Sequence, residues 1–106
     1  MIYAITLHDR VTKNEREAYL DYHKKWLAGY IQSGQILFAG PLDNDSGGFI
    51  LARFEHDAAV TAALAQDPFV SNALVSVTLQ AVTPAICSDL FPISWRSSAK
   101  VIPSLN

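Results

Sequence analysis

The sequence predicts an α+β domain in which four strands and two helices follow one another in the order βαββαβ. Three stretches carry that order. Two apolar, strand-like runs, Ile2 to Leu7 and Gln35 to Ala39, flank a long amphipathic helix that begins near Glu15 and stops at Ser33-Gly34. The cluster Asp43-Asn44-Asp45-Ser46-Gly47-Gly48 is a turn, so the strands on either side of it should pair as a hairpin. Val75 to Val82 alternates cleanly, with Val75, Val77, Leu79 and Ala81 on one side and Ser76, Thr78 and Gln80 on the other. A chain of 106 residues, 50% hydrophobic and 17% charged, builds one two-layered core and not two independent ones.

Each element has its own signal. Ile2 to Leu7 is apolar on both alternating sets, Ile2 and Ala4 on one and Tyr3, Ile5 and Leu7 on the other, as in a strand buried on both faces. His8-Asp9-Arg10 takes the chain out of the sheet. Thr12-Lys13-Asn14-Glu15 has the spacing of a capping box, and Asn14 with Glu17 offers a second register. The helix that follows carries an apolar stripe of Tyr19, Tyr22, Trp26, Leu27, Tyr30 and Ile31. His23 stands inside that stripe, four residues after Tyr19 and four before Leu27, and therefore points to the core side. An imidazole placed there needs a hydrogen-bonding partner or a chemical role. Gly34 stops the helix, since glycine takes the left-handed position cheaply.

Gly40-Pro41 closes the second strand, because proline cannot donate to a ladder. Phe49 to Phe54 is the third strand, with Arg53 its only charge. Asp57 is the expected N-cap of an alanine-rich second helix, Ala58 to Ala65, with Val60, Ala63 and Leu64 on its buried side. Asp67-Pro68-Phe69 restarts the chain as a cap followed by proline at the first helical position. The polar face of the Val75–Val82 strand places it near an edge. Four strands and two helices in this order make a ferredoxin-like antiparallel sheet with both helices on one face.

Two helices cover only one face of such a sheet, yet its first three strands are apolar on both. The uncovered face predicts a homodimer stacked sheet on sheet. Thr83 to Asn106 has three prolines and no period, but Ile86, Leu90, Phe91, Ile93 and Trp95 are too apolar for a free tail. It reads as an arm packed on the body or on a partner chain, with Lys100 to Asn106 expected to fray.

His23-Lys24-Lys25-Trp26-Leu27, the later Gly34-Gln35-Ile36-Leu37-Phe38-Ala39-Gly40-Pro41-Leu42, and Asp67-Pro68-Phe69-Val70 together resemble the YCII-related (YciI-like) proteins. The likeness runs from Met1 to about Thr83, making residues 1–83 the YCII-like domain and residues 84–106 a C-terminal arm outside it. The resemblance implies a dimeric α+β barrel, similar to muconolactone isomerases and small monooxygenases of that architecture. It also implies an active site built on a histidine–aspartate pair in a cleft, which falls here on His23 and Asp67. One relative is associated with dehydrochlorination of a chlorinated hydroxyquinol, while most members have no assigned reaction. Relatives often carry an arginine three residues before the histidine; here that position is Leu20, which points to a less charged ligand.

Each of these residues also has a plain structural role to weigh. His23 alone reads as a core histidine satisfied by a backbone carbonyl. Asp67 alone reads as an ordinary helix cap. Together they read as a base and its orienting partner, suited to proton abstraction from a phenol or from carbon next to a carbonyl. Tyr3, Tyr19, Phe38, Gly40, Pro41, Arg53 and Phe69 are the candidate pocket residues. His8 and His56 lie at element ends and are expected in solvent.

Other chemistries lack a pattern. A single cysteine, Cys87, excludes an internal disulfide and fits a reducing compartment. No Cys/His spacing suits a metal, and Gly47-Gly48 precedes a strand, not a helix, so it is no phosphate loop. A net charge of −2 offers no field for nucleic acid or an anionic membrane. The apolar runs fall short of the ~20 residues a membrane helix needs, and the N-terminus is a strand-like run without a signal-peptide core. The expectation is a cytoplasmic, cofactor-free enzyme with no metal, performing lyase- or isomerase-type proton transfer on a small molecule, aromatic compounds included. The alternatives are a small-metabolite-binding module without catalysis and a structural protein with a buried core histidine.

Overall fold

The computed structural model describes residues 1–105. Strands β1 (Ile2–Asp9), β2 (Ile36–Pro41), β3 (Gly47–Arg53) and β4 (Val75–Val82) form one sheet in the order β2-β3-β1-β4. Every neighbouring pair is antiparallel, the ferredoxin-like arrangement that the sequence predicts. Tyr3 faces Ala52 and Ala81, and Ile5 faces Ile50 and Leu79, so these side chains share one face. That is the face the helices cover. The turn cluster forms the β2–β3 hairpin, and β4 lies at the edge its polar face predicts. Pro41 ends the other edge strand, where its missing N–H costs no ladder bond.

The helical layer differs from expectation in three ways. The expected first helix is two helices, α1 (Lys13–Glu17) and α2 (Leu20–Gln32). The capping box forms in the Thr12–Glu15 register, and α1 closes with the Tyr19 N–H on the Arg16 carbonyl at 2.9 Å. No glycine or proline stands at Ala18-Tyr19, so the periodicity runs across the break without marking it. The buried side of α2 also differs. Tyr22 is 65% exposed and Ile31 45%, whereas Leu20, Trp26, Leu27 and Tyr30 pack against the core.

The second layer is α3 (Asp57–Leu64) and the single turn α4 (Pro68–Ser71). Its N-cap is His56, not Asp57: the His56 ring accepts from the Ala59 N–H at 3.1 Å. Asp57 is instead free to accept from the Tyr3 hydroxyl at 2.7 Å, which pins the start of α3 to β1. Val60, Ala63 and Leu64 are buried as expected. The core is the contact of these residues and Phe69 with Tyr3, Ile5, Ile50 and Ala52.

The segment after β4 is ordered by pairing with itself. Strands β5 (Ile86–Ser88) and β6 (Lys100–Ile102) are parallel to each other, so Lys100–Ile102 forms a strand where fraying is expected. Asn106 lies outside the described residues. A 3₁₀ turn at Ile93–Trp95 buries Trp95, and Arg53 donates to the Ser94 carbonyl at 2.7 Å. Between this segment and the outer face of the sheet runs a groove lined by Ile2, Leu37, Leu51 and Val82.

Candidate active site

Helix α2 brings His23 to the inner face of the sheet, and α4 brings Asp67 to meet it. The His23 Nδ1 lies 2.7 Å from Asp67 Oδ1, across a sequence separation of 44 residues. Asp67 has this position because Pro68 starts α4: the same Oδ1 accepts from the Phe69 N–H at 3.1 Å. The aspartate is thus both cap and partner, and it is fully buried. Its second oxygen, Oδ2, has no hydrogen-bond partner among the described residues. An ionised carboxylate only accepts, so the pairing places the imidazole proton on Nδ1 and leaves Nε2 as a lone-pair acceptor.

Aromatic packing holds the ring in place. Phe69 stacks on it with centroids 4.0 Å apart and planes within 5°. Trp26 stands 6.3 Å away at 19°, and its own Nε1–H is tied to the Ala63 carbonyl at 3.1 Å. The imidazole is therefore fixed by one hydrogen bond and one stacked face, with its side chain still 12% exposed.

That exposure opens on a cavity of about 400 Å³, whose wall includes His23, Phe69, Gly40 and Pro41. Its apolar lining comes from Leu7 and Ile50 of the sheet, Val75 of β4, and Leu20 and Leu27 of α2. Gly47 also borders it. With φ at +156°, a Cβ there would meet the Leu7 carbonyl oxygen at 1.8 Å, so only glycine lets β3 approach β1 at this wall.

The other expected pocket residues are elsewhere. Tyr3 is buried in the core with its hydroxyl on Asp57. Tyr19 precedes α2 and packs on the core. Phe38 is 51% exposed, beside Phe49. Arg53 is engaged with Ser94, away from this cavity. His8 is exposed with Nε2 2.8 Å from the Thr78 hydroxyl.

Two cationic residues not anticipated from the sequence line the cavity, Arg16 of α1 and Lys24 of α2, together with Asp9 at the end of β1. Arg16 precedes His23 by seven residues, two helical turns, and that spacing was the available signal.

The YCII-related domain family matches residues 1–81. The chain belongs to the YCII-related family. Among solved structures it is similar to the 5-chloro-2-hydroxyhydroquinone dehydrochlorinase of Burkholderia phenoliruptrix AC1100, in complex with 2,5-dihydroxybenzoquinone. The two share 21% sequence identity at a TM-score of 0.68, over 79% of this chain and 95% of that one. No curated protein sequence matches the chain. The likeness establishes a shared fold, and the segment beyond residue 81 of this YCII-related protein lies outside the family match.

Within that fold, the His23 imidazole is held by Asp67 and Phe69 at the wall of a largely apolar recess.

Proposed function

We propose that the protein is a small-molecule enzyme in which His23 is the general base and Asp67 orients it. The observation that carries this reading is the 2.7 Å His23–Asp67 contact at the wall of a cavity large enough for a small aromatic molecule. A structural cap accounts for Asp67 accepting from Phe69, but not for the imidazole held against it beside an open recess.

The reaction is of lyase or isomerase type. Nε2 takes a proton from a phenolic oxygen or from carbon next to a carbonyl, and the released electron pair moves into the ring or enol system. In the lyase case the proton is returned to the carbon bearing the leaving group, and loss of a second hydroxyl proton expels that group with its bonding pair and leaves a quinone; in the isomerase case the proton returns at another carbon. Both need only the imidazole–carboxylate pair. A neighbour of the same fold that removes hydrogen chloride from a chlorinated hydroquinol supports the aromatic class by analogy.

A panel of halogenated hydroquinols and small lactones tests the proposal. On any substrate turned over, His23→Ala should lower kcat by at least about a hundredfold and keep the thermal midpoint within a few degrees. Turnover unchanged in His23→Ala would sink the assignment. Binding without product across the panel would favour a metabolite-binding module. The same proposal has the protein working in the cytoplasm as a homodimer through the outer sheet face, where Phe38 and Phe49 form a partly exposed aromatic pair 5.7 Å apart.

A further inference from the structure

We infer that the cavity beside His23 receives an anionic small molecule, its carboxylate or ionised phenol oxygen held by Arg16. The inference rests on the cavity being a ligand site, as the proposed function has it, and names the class of ligand. Leu20, standing where relatives often carry arginine, points by itself to a less charged ligand. The structure returns a guanidinium to the same wall from one turn further up the chain.

Charge and geometry both support this. The cavity wall holds Arg16 and Lys24 against a single carboxylate, Asp9, since Asp67 does not line it. Arg16 pairs with Asp9 through one nitrogen at 3.4 Å, well beyond the ~2.7–2.9 Å of a strong charge-assisted hydrogen bond. Its Nε is buried and has no hydrogen-bond partner among the described residues. A buried donor without an acceptor leaves the guanidinium charge under-compensated, and its unburied Nη–H groups are the ones that a ligand's acidic oxygen can reach. The Arg16 side chain is 22% exposed, sheltered enough for its charge to count and open enough to be reached. The remaining wall (Leu20, Leu27, Ile50, Phe69, Val75) is apolar and takes a ring or short carbon chain. The ligand therefore has an apolar body with an acidic oxygen at the Arg16 side and its exchangeable proton towards His23.

Benzoate and benzamide, alike in shape and different in charge, test the assignment when titrated into the intact protein while the His23 imidazole signals are followed by NMR. Benzoate should bind at least about tenfold more tightly, or ~1.4 kcal/mol. Arg16→Gln should bring that ratio close to one. Asp9→Asn should tighten benzoate binding, because it frees the guanidinium. Opposite signs from the two variants cannot come from a general loss of folding. 4-Nitrophenol separates the two sources of the anion. A bound spectrum shifted towards the ionised form supports a phenolate, whereas an unshifted spectrum with benzoate still preferred supports a carboxylate. Equal binding of benzoate and benzamide, a preference that survives Arg16→Gln, or no gain in Asp9→Asn overturns the anion assignment and leaves the His23 cavity a ligand site. His23 signals that move with neither compound overturn it together with the proposed function.

Discussion

Asp67 makes two demands of one oxygen, and that sharing gives the residue scale its clearest test. Oδ1 accepts from both the His23 ring and the Phe69 N–H, so the carboxylate fixes a tautomer while it caps a helical turn. Asp67→Asn is expected to keep the cap, because an amide oxygen accepts as well. It removes the charge that selects the Nδ1–H form. Nitrogen chemical shifts of the imidazole should show a pyridine-like Nε2 in the wild type and a mixture of tautomers in the variant. Identical spectra would mean that the pair is not coupled. Tyr3 offers a test tied to pH. Burial first, then the hydrogen bond to Asp57 and its charge, raise the Tyr3 phenol above its ordinary range. The fold thus favours the neutral phenol: this contribution is complete below pH ~10, near the unfolded value, and is lost as pH rises through the folded one. Urea titrations at increasing alkaline pH should show stability falling less steeply in Tyr3→Phe than in the wild type.

The elements that matter most for the site are the β2–β3 hairpin and the broken first helix. Gly47 and Gly40 both line the cavity, but they differ in what surrounds them. A Cβ at Gly47 collides with the Leu7 backbone, while one at Gly40 meets nothing within 4 Å. Gly47→Ala should therefore cost at least about 2 kcal/mol in urea denaturation. Gly40→Ala should cost under about 0.5 kcal/mol and act only by narrowing the recess. Comparable losses from both would contradict the close approach of β3 to β1. The break at Ala18-Tyr19 matters for a different reason: α1, with no buried residue of its own, carries Arg16 to the cavity.

At the scale of the whole molecule, the question is what covers the outer face of the sheet. The segment after β4 covers part of it, burying Ile2 and Trp95, and leaves Phe38 and Val82 open at the two edges. Outward-facing Phe49 and Leu51 of β3 lie between. If two copies stack there, light scattering should give twice the mass of the 11.6 kDa chain. Phe38→Glu should then return the monomer, since it buries an unpaired charge at the contact. A wild-type mass of one chain removes the dimer from the proposal.

Local chemistry was sufficient for much of this molecule. Alternation in Val75–Val82 set its inward face, the Asp-Asn-Gly cluster set the hairpin, and the capping box set the start of α1, because each depends on neighbours within a few residues. The likeness to YCII-related proteins also lay in local motifs, and the inward direction of His23 followed from helical spacing. Tertiary structure decided the rest. The cap of α3 passed to His56 once Tyr3 claimed Asp57 from 54 residues away. Tyr22 and Ile31 lie at the two margins of the α2 stripe and stay exposed, while Leu20, outside the expected stripe, packs on the core. Whether a histidine and an aspartate 44 residues apart meet at 2.7 Å, and whether an open recess lies beside them, are questions of packing between elements. Periodicity fixes which way a side chain points; only the docked elements fix what it points at.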